Sequence, residues 1–235
     1  MKMMLFSNST NAGENYLAYT LPYFSQFLDN KPAEAVFVPY AGITIHWDDY
    51  SNKVAGVLNN LGIKISPLHQ TKNEKQALEN ASMIMVGGGN TFHLLKTLQD
   101  KDLLEVIRKK VRTGTPYIGW SAGSNLACPT ICTTNDMPIV EPHNFSALGL
   151  IPFQINPHYT DATLENHAGE TREMRIEEYL VANQKTWVAG MREGTLFRLD
   201  GDTLTLQGEK ACRVFRYGDT PKELNKTDNF SFLFK

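Results

Sequence analysis

The run Tyr117-Ile118-Gly119-Trp120-Ser121-Ala122-Gly123-Ser124-Asn125-Leu126-Ala127 constrains the fold more than any other stretch of the chain. A short apolar strand must turn there and enter a segment able to start a helix. Gly-x-Ser-x-Gly in that setting is the nucleophile-elbow pattern. Gly119 and Gly123 flank the serine because a Cβ at either place would crowd the tight turn or its neighbouring strand. A hydroxyl held at Ser121 stands above the sheet, near the positive end of the following helix, where developing negative charge is stabilised. The plainer alternative is a buried strand end lined with small residues.

Upstream of the elbow the chain alternates strand and helix. Met3 to Phe6, Ala35 to Pro39, Ile63 to Leu68 and Ala81 to Val86 read as buried strands. The last is continuously apolar, as expected when both faces of a sheet are covered. Between them, Glu14 to Leu28 places Tyr16, Tyr19, Tyr23 and Phe27 at helical spacing, with Pro22 expected to kink or shorten the helix. Asp48 to Leu61 reads as a helix capped by Asp48, striped by Tyr50, Val54, Val57, Leu58 and Leu61, and ended by Gly62. Asn73 to Asn80 is a modest helix. Leu94, Leu95 and Leu98 mark another, and Leu103, Leu104, Ile107 and Val111 the next. This rhythm predicts an α/β fold, a three-layer sandwich around a mostly parallel sheet, whose strand ends gather ligands. Ser7 to Thr10, Gly87 to Asn90 and Ser121 all stand at such ends. After the elbow come a proline-rich loop, a short strand Phe153 to His158, a helix Glu173 to Val181 opened by Thr171, and short strands from Thr186 onward that read as an antiparallel C-terminal edge. No linker or repeat divides residues 1–235, so one domain is expected.

Composition narrows the function. The 235 residues are 42% hydrophobic and 20% charged with a net charge of −2, the profile of an ordinary globular protein. Charge of that size and interleaving gives no case for nucleic acid or an anionic membrane as partner. The first residues lack the ~7–15-residue apolar core of a secretory signal, and nothing approaches the ~20 apolar residues of a membrane span. A cytoplasmic location is expected. Cys128, Cys132 and Cys212 fit reduced thiols, and Cys128-x3-Cys132 lacks a second ligand pair for zinc, so no metal is expected.

A serine is a poor nucleophile unless an imidazole takes its proton and a carboxylate orients that imidazole. His158 ends a strand-like run that would bring it to the sheet edge of Ser121; a structural histidine is the alternative. Asp136 lies between them in the order Ser, Asp, His found with this elbow. It is equally well read as an Asx-turn residue before Pro138, and Glu193 is the other candidate acid. Gly87-Gly88-Gly89-Asn90 lacks the spacing of a phosphate loop. The amides of Gly89 and Ala122 instead suit a tetrahedral oxyanion. Arg172 has no acidic residue at i±3 or i±4 and sits at a helix start, where the dipole disfavours it, so it is the candidate for a substrate carboxylate.

Val86-Gly87-Gly88-Gly89-Asn90-Thr91-Phe92, Ile118-Gly119-Trp120-Ser121-Ala122-Gly123, Cys128-Pro129-Thr130, Thr133-Thr134-Asn135-Asp136-Met137-Pro138-Ile139-Val140 and Ile155-Asn156-Pro157-His158 together resemble the peptidase E family of α-aspartyl dipeptidases. Ser7-Asn8-Ser9-Thr10, Trp47-Asp48 and Gly169-Glu170-Thr171-Arg172 match as well, and the likeness runs to about residue 195. The resemblance implies a fold similar to class I glutamine amidotransferases and hydrolysis of dipeptides with an N-terminal aspartate, without cofactor. It makes Ser121 the nucleophile, His158 the base and Asp136 the orienting acid, with Gly89 and Ala122 as oxyanion donors and Arg172, Glu193 and Asn90 near the substrate. Small aspartyl dipeptides are the implied partners, and the chain is expected to be a monomer or homodimer. A cyanophycinase-like hydrolase of β-aspartyl linkages and a non-catalytic ligand-binding relative are the rival readings. Ser124 stands where the family suggests alanine, which puts a second hydroxyl three residues from the first.

Overall fold

The computed structural model describes residues 1–162 and 169–235. Strands β1 (Lys2–Phe6), β2 (Ala33–Val38), β3 (Ile63–Pro67), β4 (Ile84–Val86) and β5 (Tyr117–Trp120) pair in parallel in the order β3-β2-β4-β5-β1. Alternate side chains on these strands enter different cores. Met3, Leu5, Val36, Val38, Ile84 and Val86 join one cluster, while Met4, Phe6, Ala35, Phe37, Met85 and Trp120 join the other. That is why the strands are apolar throughout rather than alternating.

Helices α1 (Leu21–Phe27) and α2 (Trp47–Leu58) cover one face, through Phe24, Phe27, Tyr50, Val54 and Leu58. Helices α3 (Glu74–Glu79), α4 (Thr91–Asp100) and α5 (Leu104–Arg112) cover the other, through Leu78, Leu94, Leu95, Leu98, Ile107 and Val111. Two helix boundaries differ from the pattern-based expectation. The expected helix from Glu14 begins only at Leu21, because Pro22 occupies its first turn, where its missing N–H costs nothing. Asp48 does not cap α2: His46 is the cap residue, and the Asp48 carboxylate is held by His69 and Gln70 at 2.8 and 2.6 Å. Gly62, with φ 70°, still ends the following 3-10 turn.

The four-residue helix α6 (Ala122–Asn125) follows the elbow. The C-terminal strands divide between two sheets, one pair forming the expected antiparallel edge of the first. β6 (Gln154–Tyr159) pairs in parallel with β7 (Val188–Arg192), and β10 (Cys212–Phe215) and β11 (Lys222–Leu224) extend a second sheet in the order β11-β10-β7-β6. β8 (Leu196–Asp200) and β9 (Thr203–Gln207) return antiparallel to the first sheet beside β1. The link β7–β8 therefore crosses from one sheet to the other. Helix α7 (Arg172–Ala182), capped by the Thr171 side chain at the Met174 amide, packs Ile176 and Leu180 with Tyr159, Val188 and Phe215 of the second sheet.

Candidate active site

Ser121 follows β5 and precedes α6 with φ 53° and ψ −111°, a backbone that a residue bearing a Cβ adopts at a cost of order 1–3 kcal/mol. The surroundings impose it. A Cβ on Gly119 would stand 2.4 Å from the Gly123 carbonyl oxygen, and one on Gly123 would stand 2.2 Å from that of Val86. Helix α6 is thus pressed directly onto the sheet, and the chain has room to turn only at the serine. The Ser121 amide donates to the Phe6 carbonyl at 3.0 Å, tying the elbow to β1.

Ser121 Oγ lies 2.9 Å from His158 Nε2, and His158 Nδ1 lies 2.7 Å from Glu193 Oε1. The three groups come from the first sheet, the second sheet and the link between the sheets. His158 also has a left-handed backbone, with φ 54°. Ser7, at the end of β1, holds it there: the buried Ser7 hydroxyl accepts from the His158 amide at 2.9 Å and donates to the Met191 carbonyl at 2.7 Å. Asn8 does the same for the acid, its Oδ1 accepting the Gly194 amide at 2.9 Å. Ser7 and Asn8 carry no chemistry of their own in this arrangement. In the sequence they read as a polar strand end within a stretch that matches the family, with no role assigned.

Asp136, the acid expected from chain order, is not at the imidazole. Its Oδ2 accepts the Thr91 amide at 2.7 Å, the Thr91 hydroxyl at 2.5 Å and the Thr134 hydroxyl at 3.0 Å. A carboxylate on the first amide of α4 neutralises that helix's positive end, and this use competes with orienting a histidine. Glu193, the other candidate acid and an expected contact near the substrate, is the carboxylate on His158. Asn90 lines the cavity but its amide is engaged: Oδ1 caps α4 at the His93 amide, and Nδ2 donates to the Met137 carbonyl.

Gly88, Gly89, Asn90, Asp136, Ser121 and His158 share the wall of a cavity of about 650 Å³ with Tyr16, Tyr50 and the 41–45 loop. Gly88 abuts the elbow, since a Cβ on it would meet the Ser121 Cβ at 3.1 Å. The amides of Gly89 and of Ala122, the residue after Ser121, donate to no carbonyl among the described residues. Both are free for a developing oxyanion. The second hydroxyl, that of Ser124, is buried and donates to the Phe6 and Gly119 carbonyls, so it does not compete with Ser121.

Arg172 opens α7 and docks on Asn135, whose Oδ1 accepts from its Nη1. Asn135 in turn donates to the Pro157 carbonyl at 2.6 Å, next to His158. The Arg172 Nε is buried with no partner among the described residues. Burial, and then the neighbouring Arg175, lower its pKa from the ordinary arginine value. No carboxylate among the described residues neutralises Arg172, whereas Arg175 meets Glu170 at 3.5 Å. His167 lies outside the described residues.

The profile of peptidase family S51 matches residues 3–207. A protein named Peptidase E from a Nostoc species is 46% identical over 234 residues, covering all of this chain and 97% of its own. One of the same name from Escherichia coli is 46% identical over 230 residues, covering 98% of this chain and 100% of its own. Among solved structures, a putative peptidase E protein from Listeria monocytogenes superposes with a TM-score of 0.67 at 22% identity, over 89% of this chain and 98% of that one. A peptidase from an acI-B1 actinobacterium gives 0.70 at 17% identity, over 98% and 96%. These two structures share the fold.

Proposed function

The chain belongs to peptidase family S51, and from that premise we propose that it hydrolyses dipeptides with an N-terminal aspartate by acyl transfer through Ser121. It is a serine-type dipeptidase by its relatives. The aspartyl specificity and the residue roles are our reading. The observation that carries them is the continuous relay Ser121 Oγ, His158 Nε2, His158 Nδ1, Glu193 Oε1, with links of 2.9 and 2.7 Å.

His158 takes the Ser121 proton as Oγ attacks the peptide carbonyl. Glu193 holds the ring in the tautomer that leaves Nε2 free to accept, and offsets the charge of the imidazolium. The oxyanion meets the Gly89 and Ala122 amides; losing one such donor typically costs ~2.7–4 kcal/mol. His158 then protonates the leaving amine, and water activated by the same ring releases aspartate. Arg172 supplies the counter-charge for the aspartyl carboxylate, as a planar fork suited to two-point pairing. Without that carboxylate the half-buried guanidinium has no carboxylate partner among the described residues, which sets asparagine and alanine substrates at a disadvantage.

A panel of α-Asp-Leu, β-Asp-Arg and Ala-Leu, run with wild type and Ser121→Ala, tests the proposal. We expect cleavage of α-Asp-Leu alone and its loss in the variant. Preferential cleavage of β-Asp-Arg, or activity surviving in Ser121→Ala, would overturn it.

A further inference from the structure

Gly88 and Gly89 line the cavity beside Ser121. Backbone bonds fix only the ends of the glycine run, the Gly87 amide on the Val38 carbonyl at 3.1 Å and the Asn90 amide on the Ala41 carbonyl at 2.8 Å. The Gly88–Gly89 peptide between them has no backbone partner of its own among the described residues. A side chain holds that middle peptide. The hydroxyl of Tyr50, on α2, donates to the Gly88 carbonyl at 3.0 Å. It accepts from Trp120 Nε1 at 3.0 Å and from the Tyr16 hydroxyl at 3.4 Å. A phenol has one proton and two lone pairs, and all three are used. With both acceptor sites filled by donors, the proton has one direction left, towards Gly88. Tyr50 is 5% exposed, and burial raises its pKa above the ordinary tyrosine value, so it remains a donor throughout the working pH range. Its ring is wedged between Phe37, at 5.2 Å, and Tyr16, at 6.5 Å. A Cβ on Gly87 would stand 2.5 Å from the Tyr50 oxygen, so the glycine there is what lets the hydroxyl in.

The Gly88–Gly89 peptide is planar and trans, which points the Gly89 N–H opposite to the Gly88 C=O. The carbonyl points at the Tyr50 hydroxyl. The amide on the same plane points away from Tyr50, donates to nothing among the described residues, and belongs to a residue that lines the cavity with Ser121. We propose that Tyr50 is the positioning residue of the oxyanion site, its hydroxyl pinning the Gly88 carbonyl and so aiming the Gly89 amide at the reacting carbonyl. Trp120, the residue before the nucleophile, shares the same hydroxyl, so the elbow and the oxyanion donor are registered to one atom.

The inference rests on acyl transfer through Ser121, and the test separates the two. Tyr50→Phe keeps the ring and removes the pin. The expected result is a kcat for Asp-Leu lower by about 10- to 100-fold, below the ~10²–10³-fold typical of deleting a donor outright, with KM within about threefold. An aspartyl aldehyde, which forms a tetrahedral adduct on Ser121, weakens by the same factor. Asp-Leu binding, compared between Ser121→Ala and Tyr50→Phe/Ser121→Ala, stays the same. A kcat within threefold of wild type, an unchanged aldehyde affinity, or a loss carried wholly by Asp-Leu binding overturns the inference. If Tyr50→Phe does not fold, Tyr16→Phe frees one lone pair and is expected to lower kcat about 3- to 10-fold with KM held; an unchanged kcat overturns the inference. Failure of the aldehyde to bind wild type, with activity surviving in Ser121→Ala, strikes at the acyl-enzyme instead.

Discussion

Two carboxylates lie close to the site, and a charge-removing substitution at each distinguishes their roles. In Glu193→Gln the carboxamide keeps the shape but loses the charge that faces His158 Nδ1 at 2.7 Å. A unit pair at that separation interacts by ~1.5 kcal/mol at bulk-water dielectric and ~6 kcal/mol at an effective dielectric of 20. Glu193 is 45% exposed, which places the site between those limits. We take ~3–4 kcal/mol, a 10²- to 10³-fold fall in kcat. A second effect adds to it: when the amide donates to Nδ1, the ring proton moves to Nε2, the wrong tautomer for accepting from Ser121. Asp136→Asn still offers an oxygen to the Thr91 amide, and loses a helix-dipole charge worth ~0.3–1 kcal/mol of stability. The assay is steady-state hydrolysis of an aspartyl chromogenic amide by each variant, with thermal melts alongside. A kcat within threefold in Glu193→Gln, with a hundredfold loss in Asp136→Asn, would refute the reasoning.

Ser124→Ala should keep kcat and lose about 1 kcal/mol of stability, because the Phe6 carbonyl retains the Ser121 amide and only one net hydrogen bond goes; a loss of acylation would sink this. Arg172→Ala should lower kcat/KM for Asp-Leu by roughly 10²-fold, or ~3 kcal/mol, and leave any residual Ala-Leu turnover unchanged; equal losses on both substrates would contradict the assignment. Glu223 accepts a fork from Arg192 at 2.8 and 2.9 Å and a bond from Arg213 at 3.0 Å, and Arg192 holds its carboxyl below the usual range. A depressed folded pKa gives stability above the ordinary carboxylate value that is lost as pH falls through the folded one. Glu223→Gln should therefore melt lower at pH 7, by no more than ~1 kcal/mol at so exposed a site, with the gap closing in acid; a gap that widens in acid has the wrong sign.

Much of the parallel half is legible from period and punctuation, because β1 to β5 are bounded by glycines, prolines and polar turns that local chemistry dictates. Gly119 and Gly123 announce the elbow for steric reasons that the coordinates bear out. The acid is harder. Asp136 sits in the expected chain order, and a sequence cannot distinguish a carboxylate that caps a helix from one that orients a ring. Glu193 lies in a turn whose importance comes from a change of sheet between β7 and β8, which no periodicity encodes. Tyr50 reads as one more apolar position on the stripe of α2. Only the arrangement of Trp120, Tyr16 and Gly88 around its oxygen reveals a polar task.

The crossing from β7 to β8 has a consequence for biosynthesis. Nucleophile and base both precede the carboxylate in the nascent polypeptide, and the carboxylate stands between β7, which pairs with the strand of the base, and β8, which pairs with β1. A ribosome-bound fragment ending near residue 190 carries the serine and the imidazole but lacks Glu193, so its relay is incomplete.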